Sequence, residues 1–384
     1  MVKTNSEPRR EISRKEDCFT SPVGNRDKKP GFQLWRNRMF DQPKFTATNM
    51  AYVPYRDTEW AIRSVLDNFP EAPTLPALTR SMKHMLEGIP CLVFDREKRR
   101  VILDPSPDRE AEIVEFYDRY EAADLDYFAT TSNTAPWFFA LLERLKQQAS
   151  PELKWVGFQT AGPVLLADVI KQQDGNPAFH NVTLRDILVK ASSMKSRWLE
   201  NRIKQDLPGV EVIAGLPETT LINFTSAGGG GTREAIIDAI NRGFEGLTCL
   251  TWIHCCANID WTLLTDSRVD VINFDAYHYA DKIALYHKEF KAFLERGGML
   301  AWGIVPVTNE LIGEESVQGL VERLERGIDL LARQGVDKEM IASSSWLMPC
   351  CDTVLMTPEN SDLAFRMTRE ISEIMKTKYG FGHS

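Results

Sequence analysis

From about residue 150 onward, short apolar runs alternate with amphipathic stretches. That alternation limits the fold more than any other feature of the 384-residue chain. Runs of strand type occupy 154–158, 210–214, 249–254, 269–274, 299–305 and 341–347. Between and after them, helical spacing recurs in Leu184, Ile187, Leu188, Ala191 and Trp198, in Val317, Leu320, Val321, Leu324, Ile328 and Leu331, and in Leu363, Met367, Ile371 and Ile374. Strands alternating with helices predict an α/β chain with a parallel sheet. The runs are almost continuously apolar, as strands buried on both faces must be. Six such units follow residue 150, and residues 46–150 have room for two more, with candidate strands at 49–53 and 127–131. Eight units close a (β/α)8 TIM barrel. An open doubly wound sheet is the weaker alternative, because no Gly-x-Gly-x-x-Gly turn follows a strand. The glycine run 228–231 reads as a loop before a helix starting near Thr232.

Charge divides the chain. Residues 1–44 carry 11 Lys/Arg and 6 Asp/Glu, a net of +5, while the remaining 35 and 48 give −13. The basic start is polar and broken by Pro8, Pro22, Pro30 and Pro43, so residues 1–45 are read as an N-terminal extension, poorly ordered or pinned to the surface. Residues 46–384 form the single barrel domain. The extension lacks the apolar stretch of a secretory signal, and nowhere do 18 apolar residues run together, so no membrane span is expected. An overall charge of −8 argues against a nucleic-acid partner. Seven cysteines, four of them in two adjacent pairs, point to reduced thiols and a cytoplasmic location.

Polar and soft residues gather where the strands end. Gln159 follows the first run and Glu218 the second. His254-Cys255-Cys256 closes the third, Asp275 the fourth, and Cys350-Cys351 lies just beyond the sixth. In a parallel barrel these ends share one rim, where active sites are built. Residues i and i+2 of a strand face the same side, so His254 and Cys256 can reach one ion while Cys255 packs against the helices. A cysteine from the 350–351 pair can come across the ring to the same point. One imidazole and two thiolates suit zinc, and a fourth place left open is the mark of a catalytic site. Such a site can deprotonate a substrate thiol for attack on an alkyl group. Cys18, Cys91 and Cys249 are read as structural.

These segments resemble the cobalamin-independent methionine synthase superfamily. His254-Cys255-Cys256-Ala257-Asn258 is similar to its His-x-Cys-Gly-Asn metal motif, and Val271-Ile272-Asn273-Phe274-Asp275 to its strand ending in an acidic ligand. Trp302-Gly303-Ile304-Val305-Pro306 resembles the next strand. Met348-Pro349-Cys350-Cys351 resembles the Pro-x-Cys-Gly-Leu segment, which selects Cys351 as the last ligand. Gln159-Thr160-Ala161-Gly162-Pro163 resembles the Thr-Gly-Pro turn. The similarity spans roughly residues 46–380 and fits the short, single-barrel members. It implies a zinc-dependent methyl or alkyl transferase that activates a small-molecule thiol as a metal-bound thiolate. The methyl donor would be a methylfolate or a methylated corrinoid protein. The expected metal ligands are His254, Cys256, Cys351 and Asp275. Asp275 and Glu218 are the expected catalytic residues, and Gln159, Glu218 and Asn258 the expected substrate contacts. The family's Asp-Glu-Pro segment is altered here: Pro217 stands at the Asp position and Glu218 at the Glu, which marks a divergent paralogue. A uroporphyrinogen-decarboxylase-like or corrinoid-protein-interacting methyltransferase is the alternative, and a non-catalytic metal-binding paralogue a third reading.

Overall fold

In a computed structural model, described for residues 40–78, 83–225 and 230–382, the alternation becomes a parallel sheet with helices outside it. The expected extension up to residue 39, Cys18 within it, and Gly228 and Gly229 lie outside the described residues. Nine strands form among the described residues. A hairpin, β1 (Leu92–Asp95) and β2 (Arg100–Leu103), is followed by β3 (Trp155–Gln159) and a two-residue β4 (Ile170–Lys171). Then come β5 (Glu211–Pro217), β6 (Leu250–Cys255), β7 (Val271–Phe274), β8 (Met299–Val305) and β9 (Ser345–Pro349). Strands β3, β5, β6, β7, β8 and β9 pair in chain order, every pair parallel. This six-stranded sheet is a half-barrel of the TIM-barrel type. The hairpin and β4 form a separate three-stranded sheet that periodicity did not reveal.

Both edges of the six-stranded sheet carry partners. Phe45 N donates to Ser345 O (2.6 Å) and Leu347 N to Thr46 O (3.0 Å), at the β9 edge. Leu75 N donates to Gly157 O (2.8 Å) and Gly157 N to Pro73 O (2.9 Å), at the β3 edge. The two segments also meet each other, where Ala77 N donates to Ala51 O (2.6 Å) and Val53 N to Ala77 O (3.1 Å). The expected strand at 49–53 is therefore corrected: no full strand forms there, and the chain makes only isolated bridges, from Ala47 to β9 and from Tyr52 to Ala77. The other expected strand, 127–131, is corrected. Leu125–Phe128 winds into a 3-10 turn, and the Ala129 carbonyl accepts from Lys195 Nζ (3.0 Å) instead of from a strand. Its place beside β3 is taken by residues 73–77. Pro73 and Pro76 have no N–H there, which gives the segment the look of a loop. The last expected strand is also shifted: Lys338–Ser343 is helical, capped by Asp337, and β9 starts only at Ser345.

Side chains alternate between two layers. Trp155, Ile213, Leu250, Trp252, Val271, Ala301 and Trp346 make an inner buried cluster. Val156, Phe158, Val212, Ile253, Cys255, Ile272 and Leu347 join the larger cluster formed with the helices. Gly215 leaves room for the inner tryptophans: a Cβ there would lie 2.9 Å from Trp252 Nε1 and 2.8 Å from Gln159 Cγ. The helices Val182–Asp206, Arg233–Gly243, Val317–Arg333 and Pro358–Lys378 are each opened by a side-chain cap, from Asn181, Thr232, Ser316 and Thr357. On the last of them Ile374 stays 38% exposed and Met375 is buried instead, a one-residue departure from the expected stripe. No helix among the described residues is long and apolar enough to cross a membrane.

Candidate metal centre

The inner face of β6 ends on His254, whose register partner on β7 is Asn273. The imidazole is fully buried. Cys256 follows the last residue of β6, and Cys351 comes two residues after β9. One ligand atom from each of His254, Cys256 and Cys351 lies within 4.8 Å of the other two. The expected His-x-Cys pair and the expected Cys351 therefore converge, although 95 residues separate the two cysteines in sequence (351 minus 256).

Hydrogen bonds decide which ring nitrogen faces that cluster. His254 Nδ1 bonds to Asn273 Oδ1. Asn273 Nδ2 donates to Ala301 O at 2.9 Å, so Oδ1 is the accepting end and Nδ1 carries the proton. His254 Nε2 is left buried and without a partner of hydrogen-bonding geometry. The Cys256 sulfur acts on this side of the ring, so the lone pair of the neutral imidazole and the sulfur face one another, an arrangement that a cation between them would relieve.

The two sulfurs share a hydrogen bond. The Cys351 thiol donates to Cys256, and this bond, against burial and with help from His254, draws Cys256 well down towards the thiolate. The shared proton stays on Cys351, whose thiol is pushed well up by that bond and by burial. Burial opposes a charge on His254, but the neighbouring Cys256 outweighs it and moves the ring upward. A lone pair, a thiolate and a thiol that can give up its proton form a soft donor set of the kind zinc takes. Cys255 faces the helical layer, its thiol lifted to about 12 by burial, and Cys350 is likewise buried and raised. Cys91 and Cys249 are buried too.

The other expected residues are placed less centrally. Asp275 caps the helix Ala276–Ile283: its Oδ1 accepts from His278 N (3.0 Å) and its Oδ2 meets His278 Nδ1 (2.7 Å). Burial raises its carboxyl and the His278 bonds offset part of that rise. It is not one of the three clustered residues. Glu218 is fully buried and accepts from Val164 N (3.0 Å) and Leu165 N (2.6 Å), tying the end of β5 to the helix Pro163–Val169. Gln159 is buried and accepts from Ala51 N at 2.9 Å, which ties β3 to residues 50–51. Asn258 is exposed. Sequence reasoning passed over Asn273. An inward polar residue inside an otherwise apolar strand was the available signal.

No protein-family model matches the chain, and no curated protein matches it in sequence. Among solved structures it is similar to a B12-independent methionine synthase from a Shewanella species, bound to selenomethionine. The TM-score is 0.53 at 13% identity, over 87% of this chain and 98% of that one. At this identity the likeness establishes a distant relationship in fold. A termite-gut xylanase and an arabinofuranosidase from Thermotoga maritima align at TM-scores of 0.29 and 0.26 and identities of 10% and 11%. They cover 86% and 82% of this chain and 77% and 63% of their own, too loosely to bear on the site.

Proposed function

We propose that this chain is a zinc-dependent transferase that moves a methyl or other alkyl group onto a substrate thiol. One observation carries the reading: the buried, unpartnered Nε2 of His254 lies in a cluster with two cysteine sulfurs, their ligand atoms within 4.8 Å. His254, Cys256 and Cys351 would hold the ion, with Asp275 as an exchangeable fourth ligand when it releases His278. Zinc bound there would favour the thiolate form of an incoming thiol at neutral pH. Two deprotonated cysteines cancel the charge of a divalent cation, so Asp275, when bound, adds one negative charge that an incoming thiolate would replace. The likeness in fold to a methionine synthase supports a small thiol as acceptor; the resemblance of the motifs implies the donor, a methylfolate or a methylated corrinoid protein. Asn258, exposed beyond β6, and Gln159, at the end of β3, are the proposed substrate contacts. Glu218 shapes the wall beside them through its bonds to Val164 and Leu165. The bridges at both sheet edges support a closed (β/α)8 barrel over residues 46–384, and free thiols suit the cytoplasm.

The test is zinc quantification after reconstitution of the wild type, Cys256→Ser and Cys351→Ser. A thiol-consumption assay with homocysteine and other small thiols against each donor class follows. About one zinc per chain is expected in the wild type, as for a single-ion site, and little in either variant. A wild type that takes up no zinc, or serine variants that keep it, would sink the reading.

A further inference from the structure

We propose that Asn273 is a positioning residue that selects which nitrogen of His254 meets the metal. The inference rests on the metal reading above and concerns a residue outside the ligand set. Three observations carry it. Asn273 is fully buried on β7, directly in register with His254 on β6. Its amide is oriented from the next strand, because Nδ2 donates to Ala301 O at 2.9 Å. Its Oδ1 is thereby presented to His254 Nδ1, and the opposite nitrogen, Nε2, is left buried on the side of Cys256, with no partner of hydrogen-bonding geometry. The β8 carbonyl thus sets the amide, the amide sets the tautomer, and the tautomer sets the ligand atom. With the ring buried, loss of Oδ1 removes the acceptor that Nδ1–H has in the folded protein.

The choice of an amide is itself informative. A carboxylate at this position would also accept from Nδ1, and it would add a full negative charge beside two cysteines that already match a divalent ion. Asparagine orients the ring and adds no charge of its own.

Two substitutions separate this role from simple support of β8. Asn273→Asp keeps an oxygen that accepts from Nδ1 and loses the donor to Ala301 O. Asn273→Leu has similar size and loses both. Supporting β8 is the function both variants lack, whereas orienting His254 is lacking in the leucine variant alone. Zinc affinity would be read by chelator competition, and the ligand field with cobalt as the probe. Asn273→Leu should bind zinc about 10–100-fold more weakly, the usual cost of removing the outer partner of a metal-bound histidine. Its cobalt bands should shift, while Asn273→Asp should bind at least as tightly as the wild type and keep the wild-type bands. Thermal unfolding of each apo-protein reports folding. If the leucine or aspartate variant does not fold, Asn273→Ala or Asn273→Thr takes its place, the threonine hydroxyl still able to accept. Equal weakening in both variants, or no change in either, would overturn the assignment of Asn273. A wild type that binds neither zinc nor cobalt would instead overturn the metal reading on which it rests.

Discussion

Replacing Glu218 by glutamine measures how the end of β5 treats a buried acid. Both oxygens of this fully buried carboxyl accept backbone amides, from Val164 and Leu165. Burial outweighs those two bonds and Asp168 adds to it, so the carboxyl is pushed up to about 8 from 4.5. Between those two values the folded state keeps a proton that the unfolded state has released, so rising pH favours unfolding. The loss begins near pH 4.5 and is complete above about pH 8. At about 1.4 kcal/mol per pKa unit, the whole swing is on the order of 5 kcal/mol. The glutamine variant does not titrate. It keeps one accepting oxygen and loses one amide bond, a pH-independent cost of about 1–3 kcal/mol. It should therefore be the less stable protein near pH 5 and overtake the wild type at alkaline pH. Urea unfolding of both proteins from pH 5 to 9, with a chelator throughout to remove any metal contribution, gives the difference directly. Between pH 5.5 and 7.5 that difference should move by about 3 kcal/mol in favour of the variant. A flat difference would refute the reasoning, because it would mean that the two amides hold the carboxylate ionised despite its burial.

Two further substitutions probe the site and its packing. Gly215→Ala places a Cβ 2.8 Å from Gln159 Cγ and 2.9 Å from Trp252 Nε1. It should cost about 1–3 kcal/mol by overpacking, read as a lowered melting temperature; an unchanged melting temperature would show that the inner tryptophans can yield. Asp275→Asn retains a good helix cap, so stability should hold while zinc affinity falls. Unchanged zinc affinity would remove Asp275 from the ligand set.

Much of this protein was legible before any coordinates. The strand runs are apolar throughout because both faces are buried, and the helices between them carry one apolar stripe each, so periodicity alone separates the two. The His254–Cys256 pair was legible for the same reason: residues two apart on a strand share a face, and Cys255 must turn the other way. The assignment of Cys351 over Cys350 came from the resemblance, and the structure places Cys351 in the cluster with the other two.

What failed, failed where a distant partner decides. Tyr127-Phe128-Ala129-Thr130-Thr131 has the composition of a strand, yet no strand edge receives it, and Lys195 takes the Ala129 carbonyl. The segment 73–77 has two prolines and the look of a loop, yet an open edge of β3 is there to pair with Leu75. Asn273 stood out only as a polar residue in an apolar strand, because its meaning depends on its register with His254, 19 positions away. Local sequence determines which residues share a face, since that follows from backbone geometry within a single strand or helix. Which face meets which neighbour, and hence which buried nitrogen of His254 is turned to the two cysteines, is set by the pairing of strands far apart in the chain, and only the tertiary structure decides it.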